Sequence, residues 1–278
     1  MKSDPIICIA GKNKVAVISL LHAANLLGSK NVVCYPNLND PKRHSMQPSL
    51  WKTAKDHGIK IINDFQDLEG YQDLIFISLE FDKIINLDDL NMREIYNIHF
   101  SALPKYRGVF TSSLPILNQE KYTGVTLHKI DAGIDTGPII SQKIFQIPQH
   151  YTSVELYNRY CDEAIELFQI NFMDLVEKRS VQLYPQNDNE STYFSKSSIN
   201  FSKTEIEFDF TTTEVIAKIN SLIFPEYQLP TFRGRKIVGV QPGVNKNFGP
   251  CGNTIKLDDQ TDKVFTLDSY VILLYQDD

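Results

Sequence analysis

The sequence predicts an α/β protein: a mostly parallel sheet with helices, followed by a small β-rich C-terminal subdomain. Three observations carry this expectation. Short apolar runs alternate with amphipathic stretches over the first half of the chain, composition shifts near residue 180, and several short β-like segments separated by turn residues close the sequence. With 278 residues the chain has room for one large or two modest domains, which we place at 1–180 and 181–278.

Ile6–Gly11 reads as a buried strand. Val15–Leu27 reads as an amphipathic helix with apolar positions at Val17, Leu20, Leu21, Ala24 and Leu27, stopped by Gly28. Val32–Tyr35 is a second strand, Ser45–His57 a second helix ending at Gly58, Ile59–Ile62 a third strand and Leu74–Ser78 a fourth. Such alternation implies parallel strands joined by right-handed crossovers, with ligands beyond the C-terminal strand ends. The loops at Gly11–Asn13, Ser78–Lys83 and His99–Gly108 are then expected to line one cleft. Tyr96–His99, Val125–Ile130 and Pro138–Ile147 read as further strands. Thr152–Lys178 reads as a long helix opened by the capping-box pattern Thr152-Ser-Val-Glu155. Beyond it, Tyr184–Asn189 is linker-like and Thr212–Ile223 helical, with β segments at Lys236–Gln241, Thr254–Leu257, Val264–Leu267 and Tyr270–Leu274.

Composition narrows the function classes. Hydrophobic content of 42% and charged content of 22% are those of a soluble globular protein. No apolar run approaches the roughly 20 residues of a membrane span. The first apolar run ends early, at Gly11-Lys-Asn-Lys14, and so reads as a strand rather than a signal peptide. Cys8, Cys34, Cys161 and Cys251 form no CxxC pair and have no histidine at metal spacing, so we expect reduced thiols, a cytoplasmic location and no metal site. A net charge of −6, with its densest basic cluster only at Arg233-Gly-Arg235-Lys236, weighs against a nucleic-acid partner.

The chemistry-bearing stretch is Tyr96–Ile140. On a strand, Asn97 and His99 share one face and Ile98 and Phe100 the other. Ser101-Ala-Leu-Pro104, a basic turn Lys105-Tyr-Arg107-Gly108 and the glycine-rich Asp131-Ala-Gly-Ile-Asp135-Thr-Gly137 follow. A carboxylate from the last loop can orient and charge-stabilise the imidazole. Lys105 and Arg107, near the cleft, are placed to meet an anionic substrate. Taken singly, His99 also fits a structural histidine, Asn97 a turn cap, Asp131 and Asp135 turn formers, and Lys105 and Arg107 a solvated turn. The bond Leu103–Pro104 suits a rigid turn, cis or trans.

Together, Asn97-x-His99, Ser101-x-Leu-Pro104, the basic-Gly turn and Asp131-x-Gly-x-Asp135-Thr-Gly137 resemble the folate-dependent formyltransferases. The resemblance implies a Rossmann-like catalytic domain. It also implies N10-formyltetrahydrofolate as one-carbon donor, with Asn97 donating to the developing oxyanion, His99 taking the amine proton and Asp135 holding the tautomer of His99. Ser78, Leu79, Glu80, Phe81 and Asp131 are implied on the folate side. Phe224-Pro-Glu-Tyr227-Gln-Leu-Pro230 is similar to the nucleotide-sugar branch, in which the tyrosines matching Tyr193 and Tyr227 contact the nucleotide, although ordinary packing also explains both. Gly11-Lys12-Asn13 is similar to a pyrophosphate-side turn of that branch, or is a plain βα turn, and Lys105 is placed on the substrate side. The implied acceptor is a dTDP-linked amino-dideoxysugar, best dTDP-4-amino-4,6-dideoxyglucose, for O-antigen or another surface polysaccharide such as lipopolysaccharide. A homodimer through the C-terminal region is expected. Methionyl-tRNA formyltransferase, formyltetrahydrofolate hydrolase and a non-catalytic nucleotide-sugar-binding protein are the alternatives.

Overall fold

The computed structural model describes residues 5–45, 47–85, 94–178, 181–244 and 248–277. The apolar runs Ile7–Gly11, Val32–Tyr35 and Leu74–Leu79 are buried throughout, as expected of parallel strands covered on both faces. In order come β1 (Ile6–Gly11), α1 (Asn13–Leu27), β2 (Val32–Pro36), α2 (Leu50–Asp56), β3 (Lys60–Ile61), β4 (Leu74–Leu79) and β5 (Glu94–His99). A two-residue β6 (Arg107–Gly108), α3 (Leu114–Leu117), β7 (Tyr122–Lys129), β8 (Ile139–Gln146) and α4 (Ser153–Val176) follow. The remainder holds β9 (Tyr193–Phe194), α5 (Thr212–Leu222), β10 (Thr231–Phe232), β11 (Arg235–Pro242), β12 (Thr254–Lys256), β13 (Thr261–Phe265) and β14 (Tyr270–Tyr275).

The main sheet has seven strands in the order β3-β2-β1-β4-β5-β7-β8. Its first five strands pair in parallel, and β7 returns antiparallel to β5. Strand order turns outward on both sides of β1, so the loops after β1 and β4 leave the same sheet end. The second sheet is antiparallel, five strands in the order β10-β11-β14-β13-β12.

By contacts the chain forms two compact units. One holds the chain up to Gly108, Gly124–Ile144 and Tyr160–Tyr193; the other holds Val109–Thr123, Phe145–Arg159 and everything from Phe194. The expected single boundary, residue 180, lies outside the described residues, and the second unit recruits two earlier segments that composition does not mark. A core of the first unit gathers Cys8, Val33, Tyr35, Phe76 and Ile95; that of the second gathers Phe208, Ile219, Ile237, Val271 and Leu273. Three cysteines are buried, Cys251 is exposed and all four are free thiols. Among the described residues no helix is long and apolar enough to cross a membrane.

Helix α2 begins at Leu50, later than the expected Ser45. Asp40 reaches across the preceding loop, its carboxylate accepting the N–H groups of Leu50 at 2.9 Å and Trp51 at 3.3 Å and the hydroxyl of Ser49 at 2.5 Å. Ser49 in turn accepts the Lys52 N–H at 3.0 Å as N-cap. At the start of α4 the glutamate half of the expected capping box forms, with the Glu155 carboxylate accepting both the N–H and the hydroxyl of Thr152 at 2.7 Å.

Gly11 closes β1 with φ of +147°, and a Cβ there would meet the Leu79 carbonyl oxygen at 1.8 Å. That proximity brings the ends of β1 and β4 together, where the Lys12 N–H donates to the same carbonyl at 3.3 Å. We expect Gly11→Ala to destabilise the protein by about 3 kcal/mol, combining a backbone clash with a disfavoured φ. Urea unfolding of the variant checks this, and an unchanged midpoint would contradict the packing described.

Candidate active site

Strand alternation does place Asn97 and His99 on one face of β5. The antiparallel register adds what lies opposite: Asn97 faces His128 across the β5–β7 ladder, and His99 faces Thr126. Phe100 leaves by the other face and stacks on Tyr160 with ring centroids 5.3 Å apart.

The loop after β7 supplies the carboxylate. Asp131 accepts the Gly133 N–H at 3.1 Å and the Thr136 hydroxyl at 2.5 Å through the same oxygen. This is the bonding of a turn former, the bland alternative for this expected folate-side residue. Gly137 returns so close to β7 that a Cβ would sit 1.7 Å from the Lys129 carbonyl oxygen. Between them Asp135 takes φ of +54° and turns its carboxylate toward β5. Its Oδ2 accepts the Gly108 N–H at 2.9 Å and lies 3.5 Å from His99 Nδ1. Its Oδ1 accepts from Asn97 Nδ2 at 3.4 Å and lies 3.6 Å from His128 Nε2.

Both imidazoles have their tautomers fixed from the backbone. A carbonyl oxygen can only accept. His99 Nε2, 2.8 Å from the Tyr106 carbonyl, therefore carries hydrogen, and so does His128 Nδ1, 3.0 Å from the Lys129 carbonyl. In the neutral rings the bare nitrogens are His99 Nδ1 and His128 Nε2, the two that face Asp135. The expectation that Asp135 holds the tautomer of His99 is therefore corrected: Tyr106 holds it, and Asp135 faces the basic nitrogen.

Tyr106 is itself clamped by a distant segment. Its N–H donates to the Thr192 hydroxyl at 2.7 Å, and the Arg107 N–H donates to the Thr192 carbonyl at 2.8 Å. The Gln186 amide donates to the carbonyls of Asp135 at 2.8 Å and Gly137 at 2.7 Å, while its oxygen accepts from Arg107. Arg107 is buried and also pairs with Asp188 at 2.9 Å, so its guanidinium is a loop brace rather than a contact for an anionic substrate. The bond Leu103–Pro104 is cis. Burial alone would raise the Asp135 carboxyl; the charge that His99 and His128 can carry and the bond from the Gly108 N–H outweigh it and hold the group well below the ordinary carboxylate range.

The other expected residues lie around this cluster or apart from it. Ser78, next to last in β4, lies beside Asn97 in the ladder, and Leu79, which ends the strand, is buried. Glu80 takes φ of +59°, accepts from the Asn13 amide at 3.5 Å, and offers its carbonyl to the Asn37 amide at 2.9 Å. Phe81 packs edge-on against Tyr35 at 4.9 Å between centroids. Lys12 precedes α1 and is half-buried, and Lys105 is exposed. Tyr193 is exposed on β9, and Tyr227, exposed in the second unit, lies 4.9 Å from the Phe224 ring. The sequence reading missed His128, Thr192, Gln186 and the Tyr106 carbonyl. Only His128 left a signal, since it shares a period-two face with Thr126 in the predicted Val125–Ile130 strand. Among the described residues no group of three or more His, Cys, Asp or Glu could hold a metal ion.

Residues 40–169 match the family model described as formyl transferase. Curated relatives include the methionyl-tRNA formyltransferases of Kosmotoga olearia, 30% identical over 52% of this chain and 50% of that protein, and of Clostridium tetani, 31% identical over 68% and 64%. The chain thus spans about half the length of the first of these, and 64% of the second. Among solved structures, WlaRD, a sugar 3N-formyl transferase studied with dTDP and 5-N-formyl-THF, is 37% identical over the whole of both chains, with a TM-score of 0.91. The N-formyltransferase from Helicobacter canadensis, in complex with folinic acid and dTDP-3-aminofucose, is 37% identical over 98% of this chain and 100% of that one, TM-score 0.89. A 4-N formyltransferase from Francisella tularensis, 23% identical over 84% and 95% with a TM-score of 0.68, shares the fold.

Because folding depresses the Asp135 carboxyl below its ordinary 3.8, its stabilisation is complete above that value and lost as pH falls below it. We expect the unfolding free energy of the wild type to drop more steeply between about pH 5 and pH 2.5 than that of Asp135→Asn, which no longer titrates there. Parallel curves from chemical denaturation would contradict the assignment.

Proposed function

This chain belongs to the formyl transferase family, and on that premise we propose that it moves a formyl group from N10-formyltetrahydrofolate to the amine of a dTDP-linked amino-dideoxysugar. The observation that carries the proposal is the amide of Asn97 and the basic nitrogen of His99 held beside one carboxylate. An acyl transfer needs just those parts: a donor for the oxyanion and a base for the nucleophile's proton. The neutral amine attacks the formyl carbon and forms the new C–N bond. Asn97 donates to the oxygen as it gains charge, an effect worth about 3–4 kcal/mol in comparable sites. His99 Nδ1 takes the amine proton, and the ionised Asp135 stabilises the imidazolium. Collapse breaks the bond to N10, which leaves with a proton as tetrahydrofolate. Ser78–Phe81 at the end of β4 is assigned to the folate, and Lys12, Asn13, Lys105, Tyr193 and Tyr227 to the sugar nucleotide.

For the amine, we take C3 over the C4 expected from sequence. The two solved relatives at 37% identity are described with a 3N activity or a dTDP-3-amino sugar, whereas the 4-N relative stands at 23%. A C4 amine, as in dTDP-4-amino-4,6-dideoxyglucose, is the second reading, favoured by Phe224–Pro230. Acylation of initiator tRNA is less favoured at a net charge of −6. Use of the product in a surface polysaccharide such as O-antigen, a cytoplasmic setting and pairing of two copies through the C-terminal sheet belong to the same proposal. Exposed Ile255, Leu257 and Leu267 support the pairing.

The test is a mass-spectrometric endpoint with N10-formyltetrahydrofolate and dTDP-3-amino sugar, dTDP-4-amino sugar, initiator Met-tRNA or no acceptor. We expect one formyl group on the dTDP-3-amino sugar. Formylated tRNA, or formate released without acceptor, would overturn the substrate, and no turnover would make the protein a binding module. Asn97→Ala, His99→Asn and Asp135→Asn should each lower kcat about a hundred-fold or more while dTDP binding by calorimetry changes little. Near-normal turnover in His99→Asn would remove the base assignment.

A further inference from the structure

We propose that His128 is the positioning residue for Asn97: its ring fixes which end of the Asn97 carboxamide faces the reaction. A carboxamide presents N–H and C=O ends of nearly the same shape, and only its partners decide between them. An oxyanion needs the N–H end, so an inverted Asn97 would repel the charge it should stabilise.

The partners here leave one choice. His128 is buried, and its Nδ1–H is committed to the Lys129 carbonyl at 3.0 Å, so the neutral ring must offer a lone pair at Nε2. Asn97 Nδ2 lies 3.1 Å from that nitrogen and 3.4 Å from Asp135 Oδ1. Two acceptors only 3.6 Å apart would otherwise repel each other; the amide nitrogen, with its two hydrogens, bridges them. The two bonds are unequal. The shorter anchors the amide through one hydrogen. The longer, to a carboxylate that keeps the Gly108 N–H on its other oxygen, is the one the second hydrogen can leave for the developing oxyanion.

The arrangement follows from the fold. Asn97 and His128 are register partners across the antiparallel β5–β7 ladder, so they meet on one face without any loop to order. Protonation of His128 at Nε2 would place N–H against N–H and favour the inverted amide, with its oxygen toward the ring. The charged groups bearing on that proton are Asp135 directly and His99 across the carboxylate; Lys129, next along β7, pairs with Glu94 at 3.8 Å.

This inference rests on the formyl-transfer reading for its catalytic consequence, but its structural content can be read without turnover. In the first arm, 15N NMR of the unliganded protein looks for the coupling that an Asn97 Nδ2–H hydrogen bond to His128 Nε2 transmits between the two nitrogens. We expect that coupling in the wild type and, in His128→Gln, its loss together with a shift of the Asn97 side-chain NH2 resonances. Asn97 signals indifferent to His128 would overturn the proposal, whatever the enzyme acylates. In the second arm, His128→Leu should lower kcat about a hundred-fold with KM for both substrates little changed. His128→Gln, whose side-chain oxygen can accept at the Nε2 position, should retain kcat within about ten-fold. Equal losses in both variants, each folded by circular dichroism, would reduce His128 to a packing residue. If no acceptor is formylated, the functional reading fails while the first arm still decides this one.

Discussion

An ionised carboxylate nearly out of water must be surrounded by donors or it protonates. Asp135 meets that constraint with two donors, the Asn97 amide of β5 and the Gly108 N–H, and with two imidazoles, one from β5 and one from β7, whose facing nitrogens become donors when protonated. Much of the local structure is explained by this requirement. The left-handed backbone of Asp135 and the close return at Gly137 bring the carboxylate to the strand, and Gln186 ties off the backbone carbonyls that the tight loop exposes.

The same arrangement divides labour between backbone and side chains. Backbone carbonyls of Tyr106 and Lys129 fix the two ring tautomers, which leaves basic nitrogens converging on one charge. Such convergence favours a proton arriving, and a proton arriving from an amine is what formyl transfer delivers. Stabilisation of this kind is preorganised: the dipoles are in place before charge develops, so little reorganisation opposes the reaction. The brace formed by Arg107, Gln186, Asp188 and Thr192 keeps the Tyr106 carbonyl in place, so residues remote from the chemistry in sequence set its geometry.

Much of this was legible in the sequence, and the limits have physical causes. β1, β2 and β4 could be read because buried parallel strands are continuous apolar runs. Asn97 and His99 could be read because period two is visible along one strand. His128 could not be paired with Asn97, because that needs the antiparallel register of β5 with β7, information carried between strands and not along either. The Tyr106 carbonyl is backbone and has no residue signature. Arg107 looked like an anion contact because charge is visible in sequence and its burial against Gln186 is not. The start of α2 was misplaced because Asp40, which satisfies its first N–H groups, lies ten residues before Leu50 in the chain.

The central claim is that His99 acts through Nδ1, with its tautomer fixed by the Tyr106 carbonyl. The most direct measurement is the tautomeric state of His99 by 15N NMR on ring-labelled protein, at a pH where the ring is neutral. The account predicts hydrogen on Nε2 and a bare Nδ1 beside Asp135. Hydrogen on Nδ1, bonded to the Asp135 carboxylate, with Nε2 bare, would contradict it and return Asp135 to the role of orienting group.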